Sequence, residues 1–448
     1  MTEKDRLQPM FLIIRPISLP TTLRCLAASA LLAALQGCAT MTAVYEELPS
    51  VSNLQEETFE QNEFSVSKGE DLVGRLRYVH LKKGDTLPDI ARHYGLGLNS
   101  LTSVNPGVDI WVPAAGERLV LPHYFILPDA PRKGVVINLA TMRLFAFKGT
   151  VDQLTVVTYP VGVGTEERPS PMGQMRVERK AYRPSWYVPT SIAKAHLKKG
   201  DVLPAVVPPG PDNPLGEYAL YLTASSYLIH GTNKPASIGL RASNGCFRLY
   251  PEDVKRLYEI TPAKTPVNII NQPYLVGLRN GVVYLEVHGP TDELDTAGLD
   301  KVYHKLKAVE TATGRPLDWN KVKKVLAEAR GIPVPVFEIR PGSNKDSTEP
   351  IEVRHPAELR FKPKLAGLDP DAWSVLVAEL QDETDAVRLA AIINHQGPHI
   401  PAQMISKGSG YQVVAGPFTN QKEAREIIRR LKMDLELDAS LVEPARRK

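Results

Sequence analysis

The sequence predicts a multidomain α+β protein built around a mostly β domain, and three observations carry that expectation. From Arg132 to about Asn271, short runs rich in β-branched and aromatic residues are separated by Gly and Pro clusters, as in a strand-dominated domain. Ahead of it, Tyr78 to Pro122 holds a helical pattern between two short apolar runs. Behind it, a strand-then-helix pattern recurs at an offset of 38 residues. A chain of 448 residues, 43% hydrophobic and 23% charged, suits several modest globular domains. The net charge of +4 is too small to argue for nucleic acid as a partner.

Residues 1–37 read as an export signal. Lys4, Arg6, Arg15 and Arg24 precede an uncharged stretch, and its core from Cys25 to Leu35 is apolar but too short to span a bilayer. The basic region is long, which leaves Met10 as an alternative start. Leu35-Gln36-Gly37-Cys38 resembles a bacterial lipobox, which implies cleavage before Cys38 and acylation of that cysteine. The alternative is an ordinary secreted protein with a cysteine near its cleavage point. Ala39 supplies no aspartate retention signal, so the resemblance favours a lipid anchor in the outer membrane. Residues 38–75 then serve as a polar, mildly acidic tether carrying Glu46, Glu47, Glu56, Glu57 and Glu60. No other segment is apolar enough to span a membrane. Of the three cysteines only Cys246 lies beyond the leader and its processing site, which avoids a disulfide in an oxidising envelope.

In residues 76–123, Asp85 or Thr86 can cap a helix whose buried positions are Leu87, Ile90 and Ala91. Asn105-Pro106-Gly107 is turn chemistry, and the apolar runs at Tyr78-Val79 and Leu119-Val120-Leu121 pair as strands. Together with Lys83-Gly84-Asp85-Thr86-Leu87, this βααβ unit resembles a LysM module, which implies binding of glycans that contain N-acetylglucosamine. A small domain of the same shape without a ligand is the plainer alternative.

Residues 132–271 contain strands at Val135–Leu139, Leu144–Phe147 and Leu154–Tyr159, then a rigid loop from Pro208 to Gly216. The strand Tyr218–Thr223 follows, and Tyr227-Leu228-Ile229 delivers His230. Residues 272–370 read as an extension and linker, with a strand at Val282–Val287, a helix at Lys321–Arg330 and a breaker-rich stretch from Arg340 to Pro350. In residues 371–445, Ala386, Leu389, Ala390 and Ile393 match Ala424, Ile427, Ile428 and Leu431, each set forming one apolar helix face. Asn420 with Glu423 makes a capping-box pattern. The resulting βαββαβ order, with Tyr411 to Phe418, resembles a SPOR domain, which implies binding of peptidoglycan glycan strands stripped of stem peptides and enrichment at the division septum. A generic ferredoxin-like partner module is the alternative.

The chemistry concentrates at 230–248. Cys246 lies sixteen residues after His230, flanked by small residues. A neutral thiol is a weak nucleophile, and an imidazole within hydrogen-bond reach activates it by taking its proton. The backbone carbonyl of Gly231 is placed to accept the other ring N–H and fix the tautomer. Gly245 permits a tight turn, and the N–H groups of Gly245 and Cys246 are candidates for an oxyanion hole. Arg248, on the same side of an extended segment as Cys246, suits a substrate carboxylate. A structural His and a buried apolar Cys are the competing interpretation of the bare residues.

His230-Gly231-Thr232-Asn233, Ile238-Gly239-Leu240-Arg241 and Ser243-x-Gly245-Cys246-x-Arg248-Leu249 are similar to the signature of the L,D-transpeptidase catalytic-domain family. Gly210 to Gly216 and Ser170-Pro171-x-Gly173 add to the likeness. The resemblance implies that Cys246 attacks the third residue of a peptidoglycan tetrapeptide stem, D-alanine leaves, and the thioester passes to an amine. That amine belongs to another stem, giving a 3→3 cross-link, or to a lysine of an outer-membrane lipoprotein. Ser243 and Asn244 join Arg248 as substrate-binding candidates. No metal or organic cofactor is expected. The family usually has His where this chain has Asn244, and Asn cannot carry a proton charge. Transfer to water would instead make the protein an L,D-carboxypeptidase or a cleaver of lipoprotein–wall links. A catalytically idle wall-binding scaffold is the reading from a different class.

Overall fold

A computed structural model of the chain describes residues 62–150, 152–198, 200–224, 226–289, 296–337 and 349–445. The expected export signal, the lipidation candidate Cys38 and most of the expected linker at 340–350 lie outside the described residues. The mostly β expectation for the middle of the chain holds. Its sheet has nine strands in the order Glu63–Val66, Leu154–Pro160, Arg143–Gly149, Gly134–Asn138, Pro266–Ile270, Gly173–Tyr182, Tyr218–Leu222, Leu228–His230 and Phe247–Arg248. Two of the neighbouring pairs are parallel, Pro266–Ile270 with Gly134–Asn138 and Leu228–His230 with Phe247–Arg248. One face is closed by the helix Pro251–Ile260, which buries Val254 and Leu257. The core beneath includes Ile137, Leu144, Tyr159, Leu220, Ile229 and Phe247.

The first strand corrects the tether. Glu63–Val66 pairs antiparallel with Leu154–Val157, and Leu72–Gly74 pairs with Tyr124–Ile126. Val66, Leu72 and Val73 are buried, so the acidic composition upstream conceals a short apolar pattern that docks on the sheet. The extension also holds more structure than its sequence announced. Tyr274–Arg279 and Val282–Val287 form a hairpin covered by the helices Thr296–Thr313 and Trp319–Glu328 around Val283, Leu285, Leu306, Val322 and Val336.

In the N-terminal module, the helices Leu87–His93 and Leu98–Val104 pack on the antiparallel pair Arg77–His80 and Arg118–Leu121. Thr86 is the cap, its hydroxyl accepting from the Asp89 N–H at 3.2 Å, while Asp85 accepts from the Lys82 N–H at 2.7 Å. Asn105 spans the turn by bonding Leu101 and both polar groups of the Val120 backbone. Unforeseen from sequence, the segment 351–362 straps this module. Ile351–Glu352 adds a parallel strand to Arg77–Tyr78, Val353 and Leu359 enter the core, and His355 Nε2 meets Asp85 Oδ2 at 2.9 Å.

The C-terminal module has the anticipated βαββαβ order, in a sheet ordered Ala402–Lys407, Gly410–Phe418, Trp373–Leu380, Ser440–Val442. The repeated apolar faces bury Ala386, Ala390 and Ile393 in one helix and Ala424, Ile427 and Leu431 in the other. Asn420 caps the second helix by accepting from the Glu423 N–H at 2.9 Å. The Glu423 carboxylate bonds Thr419 instead of returning to the Asn420 N–H, so the capping box is shifted by one residue.

Burial holds His93, His123 and His230 neutral, with pKa values lowered to about 4, 3 and 3. The unfolded chain takes up these protons below about pH 6.5 and the folded one refuses them until far lower, so stability is lost as pH falls through that window. We expect the urea midpoint to drop steadily from pH 7 to about pH 4, and a midpoint unchanged over that range would contradict the burial argument.

Candidate active site

The parallel pairing of Ile229 with Phe247 and His230 with Arg248 organises the site. Side chains alternate along a strand, so Ile229 and Phe247 point into the core while His230 and Arg248 share the opposite face. Cys246 precedes Phe247 and returns to the His230 side. Ile229 and Phe247 are fully buried. Truncating Phe247 to Ala would cost about 3–5 kcal/mol, because a cavity opens where the two strands are locked together.

The turn before Cys246 is made by Ser243 and Gly245. Ser243 Oγ donates to the Cys246 carbonyl at 2.6 Å and accepts from the Gly245 N–H at 3.1 Å. This corrects two expectations. Ser243 is 3% exposed with its hydroxyl spent on the turn, so it positions Cys246 and is not a substrate-binding group. The Gly245 N–H is likewise occupied. Among the described residues no hydrogen bond engages the Cys246 N–H. Gly245 has φ of +101°, and a Cβ there would lie 2.8 Å from the Tyr227 ring and 3.1 Å from the Pro169 carbonyl.

His230 is buried, and its Nδ1 lies 2.6 Å from the Gly231 carbonyl. A carbonyl only accepts, so Nδ1 carries the proton and Nε2 is left with a lone pair. Burial, then the neighbouring Arg248 charge, depress the imidazole to about 3 against the pull of the Gly231 and Leu215 carbonyls. Burial raises the Cys246 thiol, opposed by the Leu228 N–H and Arg248. Cys246 Sγ donates to the Ser226 carbonyl at 3.7 Å, and among the described residues no hydrogen bond joins it to His230. Burial thus pushes both groups toward their uncharged forms, a thiol and an imidazole. Arg248 has its pKa lowered by burial, partly restored by Cys246, and meets no carboxylate among the described residues.

Asn244 is exposed, and its Oδ1 accepts from Arg168 Nη1. The loop that carries Arg168 is tied down by Ser170 Oγ, which accepts from the Gly164 N–H at 2.9 Å. Arg168, the Ser226 carbonyl and the Leu228 N–H escaped the sequence analysis because they reach the site through loop closure and backbone groups. Behind His230, buried Asn213 bonds the carbonyls of Pro184, Val207 and Pro208 and accepts from the Leu215 N–H, which holds the 208–216 loop against Gly231. Among the described residues, no group of three His, Cys, Asp or Glu is placed to hold a metal ion.

Family models match three stretches: an L,D-transpeptidase catalytic domain over residues 132–269, a SPOR domain over 369–443 and a LysM domain over 79–122. The probable L,D-transpeptidase YbiS of Escherichia coli K12 is 41% identical over 278 residues, covering 59% of this chain and 89% of that protein. The chain belongs to the L,D-transpeptidase family. The probable L,D-transpeptidase ErfK/SrfK of Salmonella typhimurium LT2 is 38% identical over 283 residues, with 61% of this chain and 91% of that protein covered. The probable L,D-transpeptidase YcfS of E. coli K12 is 42% identical over 232 residues, with 50% and 72% covered. The matched catalytic stretch contains the turn and strand pair described above.

Two outcomes follow for the site. Gly245→Ala is expected to lower turnover by about 100-fold or more while the protein still folds, since it displaces the turn that aims the sulfur and a 1 Å misplacement carries that penalty. Wild-type turnover in that variant would contradict the geometry. The alkylation rate of Cys246 by iodoacetamide is expected to climb continuously between about pH 5 and 9. A rate flat across that range would reveal a preformed ion pair.

Proposed function

We propose that the protein is a cysteine-dependent L,D-transpeptidase of the bacterial envelope that acts on peptidoglycan tetrapeptide stems. The observation that supports this most strongly is the ladder that pairs buried His230, its Nδ1 on the Gly231 carbonyl, with Arg248, which meets no carboxylate among the described residues, directly after the turn that carries Cys246. A half-buried cation without a counter-charge is costly, and an anionic substrate offsets that cost. In this reading Arg248 receives the side-chain carboxylate of the third stem residue, with Asn244 at the mouth of the site.

As the donor binds, the thiol leaves the Ser226 carbonyl and passes its proton to His230 Nε2 while sulfur bonds to the carbonyl carbon. The oxyanion faces the Cys246 N–H. The C–N bond to D-alanine then breaks, and the imidazolium returns its proton to the departing amine. An acceptor amine attacks the thioester, its surplus proton ends on the sulfur, and the new amide is a 3→3 cross-link or a lipoprotein–wall link. The Gly231 carbonyl holds the imidazole orientation through both steps. Asn244, bound to Arg168, takes no part in proton transfer, since an amide carries no proton charge.

The LysM and SPOR modules belong to families that bind peptidoglycan, and both raise the concentration of stems around the thiol. Acylation of Cys38 would hold the enzyme at the outer membrane, and the SPOR module would enrich it at the septum. Incubation with disaccharide-tetrapeptides followed by mass spectrometry is expected to yield cross-linked dimers, and Cys246→Ala to abolish them. Tripeptide alone would mark a hydrolase, and full activity of the variant would refute the mechanism.

A further inference from the structure

The catalytic segment from Ser243 to Arg248 is gripped on both sides by the LysM module. Upstream of it, the Leu98 N–H donates to the Ile238 carbonyl at 3.1 Å. The main chains touch there. A Cβ at Gly97 would lie 3.1 Å from the Gly239 Cα, and one at Gly239, where φ is +81°, would lie 2.6 Å from the Leu98 nitrogen. Four residues on from Gly239, Ser243 opens the turn that carries Cys246.

Downstream, Tyr250 is 2% exposed and its hydroxyl donates to the Leu96 carbonyl at 3.1 Å. Its chain neighbour Leu249 donates its N–H to the His230 carbonyl at 2.9 Å, which ties the backbone of the base to the same point. Arg92 adds two 3.0 Å bonds to Glu252, and the two side chains are only 19% and 27% exposed. Between these grips Arg248 is held independently, because its N–H and its carbonyl both pair with Gly162 at 2.9 Å. A close-packed interior transmits strain instead of absorbing it, so a shift at residues 96–98 reaches the turn before Cys246.

The geometry points to a second role for the LysM module: through Gly97, Leu98 and Tyr250 it positions the thiol and the imidazole for reaction. A soluble donor is subject to this role as much as a wall-bound one. Two substitutions isolate it. Gly97 has φ of −87° and ψ of 148°, an extended conformation that suits a β-branched residue, so Gly97→Val fits its own backbone and intrudes on Gly239 across the junction. Tyr250→Phe keeps the buried ring and removes only the hydroxyl on Leu96.

The test compares the full wild-type chain with these two variants, each well below its melting temperature. With soluble disaccharide-tetrapeptide, kcat per folded enzyme is expected to fall about tenfold in each variant while KM stays within about twofold, because the sulfur is misaimed and Arg248 is not. Iodoacetamide at about pH 7 is expected to alkylate Cys246 about threefold faster in each variant, as the turn loosens its hold on the thiol at the Ser226 carbonyl. The kinetic arm rests on the proposed transpeptidase chemistry. The alkylation arm needs no turnover, so an inactive wild-type protein would count against that chemistry and leave the positioning role to be decided by alkylation. A junction that serves stability alone would lower the melting temperature and leave both rates as they are. Wild-type kcat in either variant, a loss carried by KM alone, or alkylation at the wild-type rate would overturn the proposal.

Discussion

The rest of the site depends on one backbone constraint, the two-residue parallel ladder between Ile229–His230 and Phe247–Arg248. The pairing has little length of its own, so its register rests on the apolar residues beneath it. Ile229 and Phe247 anchor it in the core, and a slip of one residue would send His230 inward and Phe247 into the cleft. The chain between the strands is free to be chemical because the strands are not. Ser243, Gly245 and the Gly231 carbonyl each fix one degree of freedom of the thiol or the imidazole.

Electrostatics make this a site at rest. Burial favours the uncharged form of both the thiol and the imidazole, and Arg248 pushes the imidazole in the same direction. A thiol hydrogen-bonded to a backbone carbonyl is protected from oxidants, which attack the thiolate, and an envelope enzyme benefits from that. In the mechanism proposed, reaction awaits a carbonyl and a carboxylate arriving together. The carboxylate would compensate Arg248 and so relieve the repulsion that keeps His230 from accepting a proton.

Much of this was legible in the sequence, and what escaped was long-range. Strands such as Leu154–Pro160 and Val282–Val287 announced themselves by composition, and the repeated helix faces around Ala386 and Ala424 by their period. The His230, Cys246 and Arg248 pattern was likewise local. By contrast, Glu63–Val66 looked like tether because its burial comes from a strand almost a hundred residues later, and the strap at 351–362 looked like linker because its partner strand lies far upstream. The Ser243 hydroxyl could not be told from a substrate ligand until the turn closed on it. Arg168 beside Asn244 is the same kind of case: the partner is 76 residues away and no spacing rule connects them.

The central claim is that the sulfur at 246 carries the acyl group because the imidazole at 230 takes its proton. Rapid quenching with acid during turnover of a tetrapeptide donor, followed by intact-mass and peptide mapping, addresses this directly. The account predicts a tripeptide-stem adduct on the peptide containing Cys246, present in wild-type protein and lost in His230→Ala. An adduct on another residue, or one that forms at the wild-type rate without the imidazole, would contradict it.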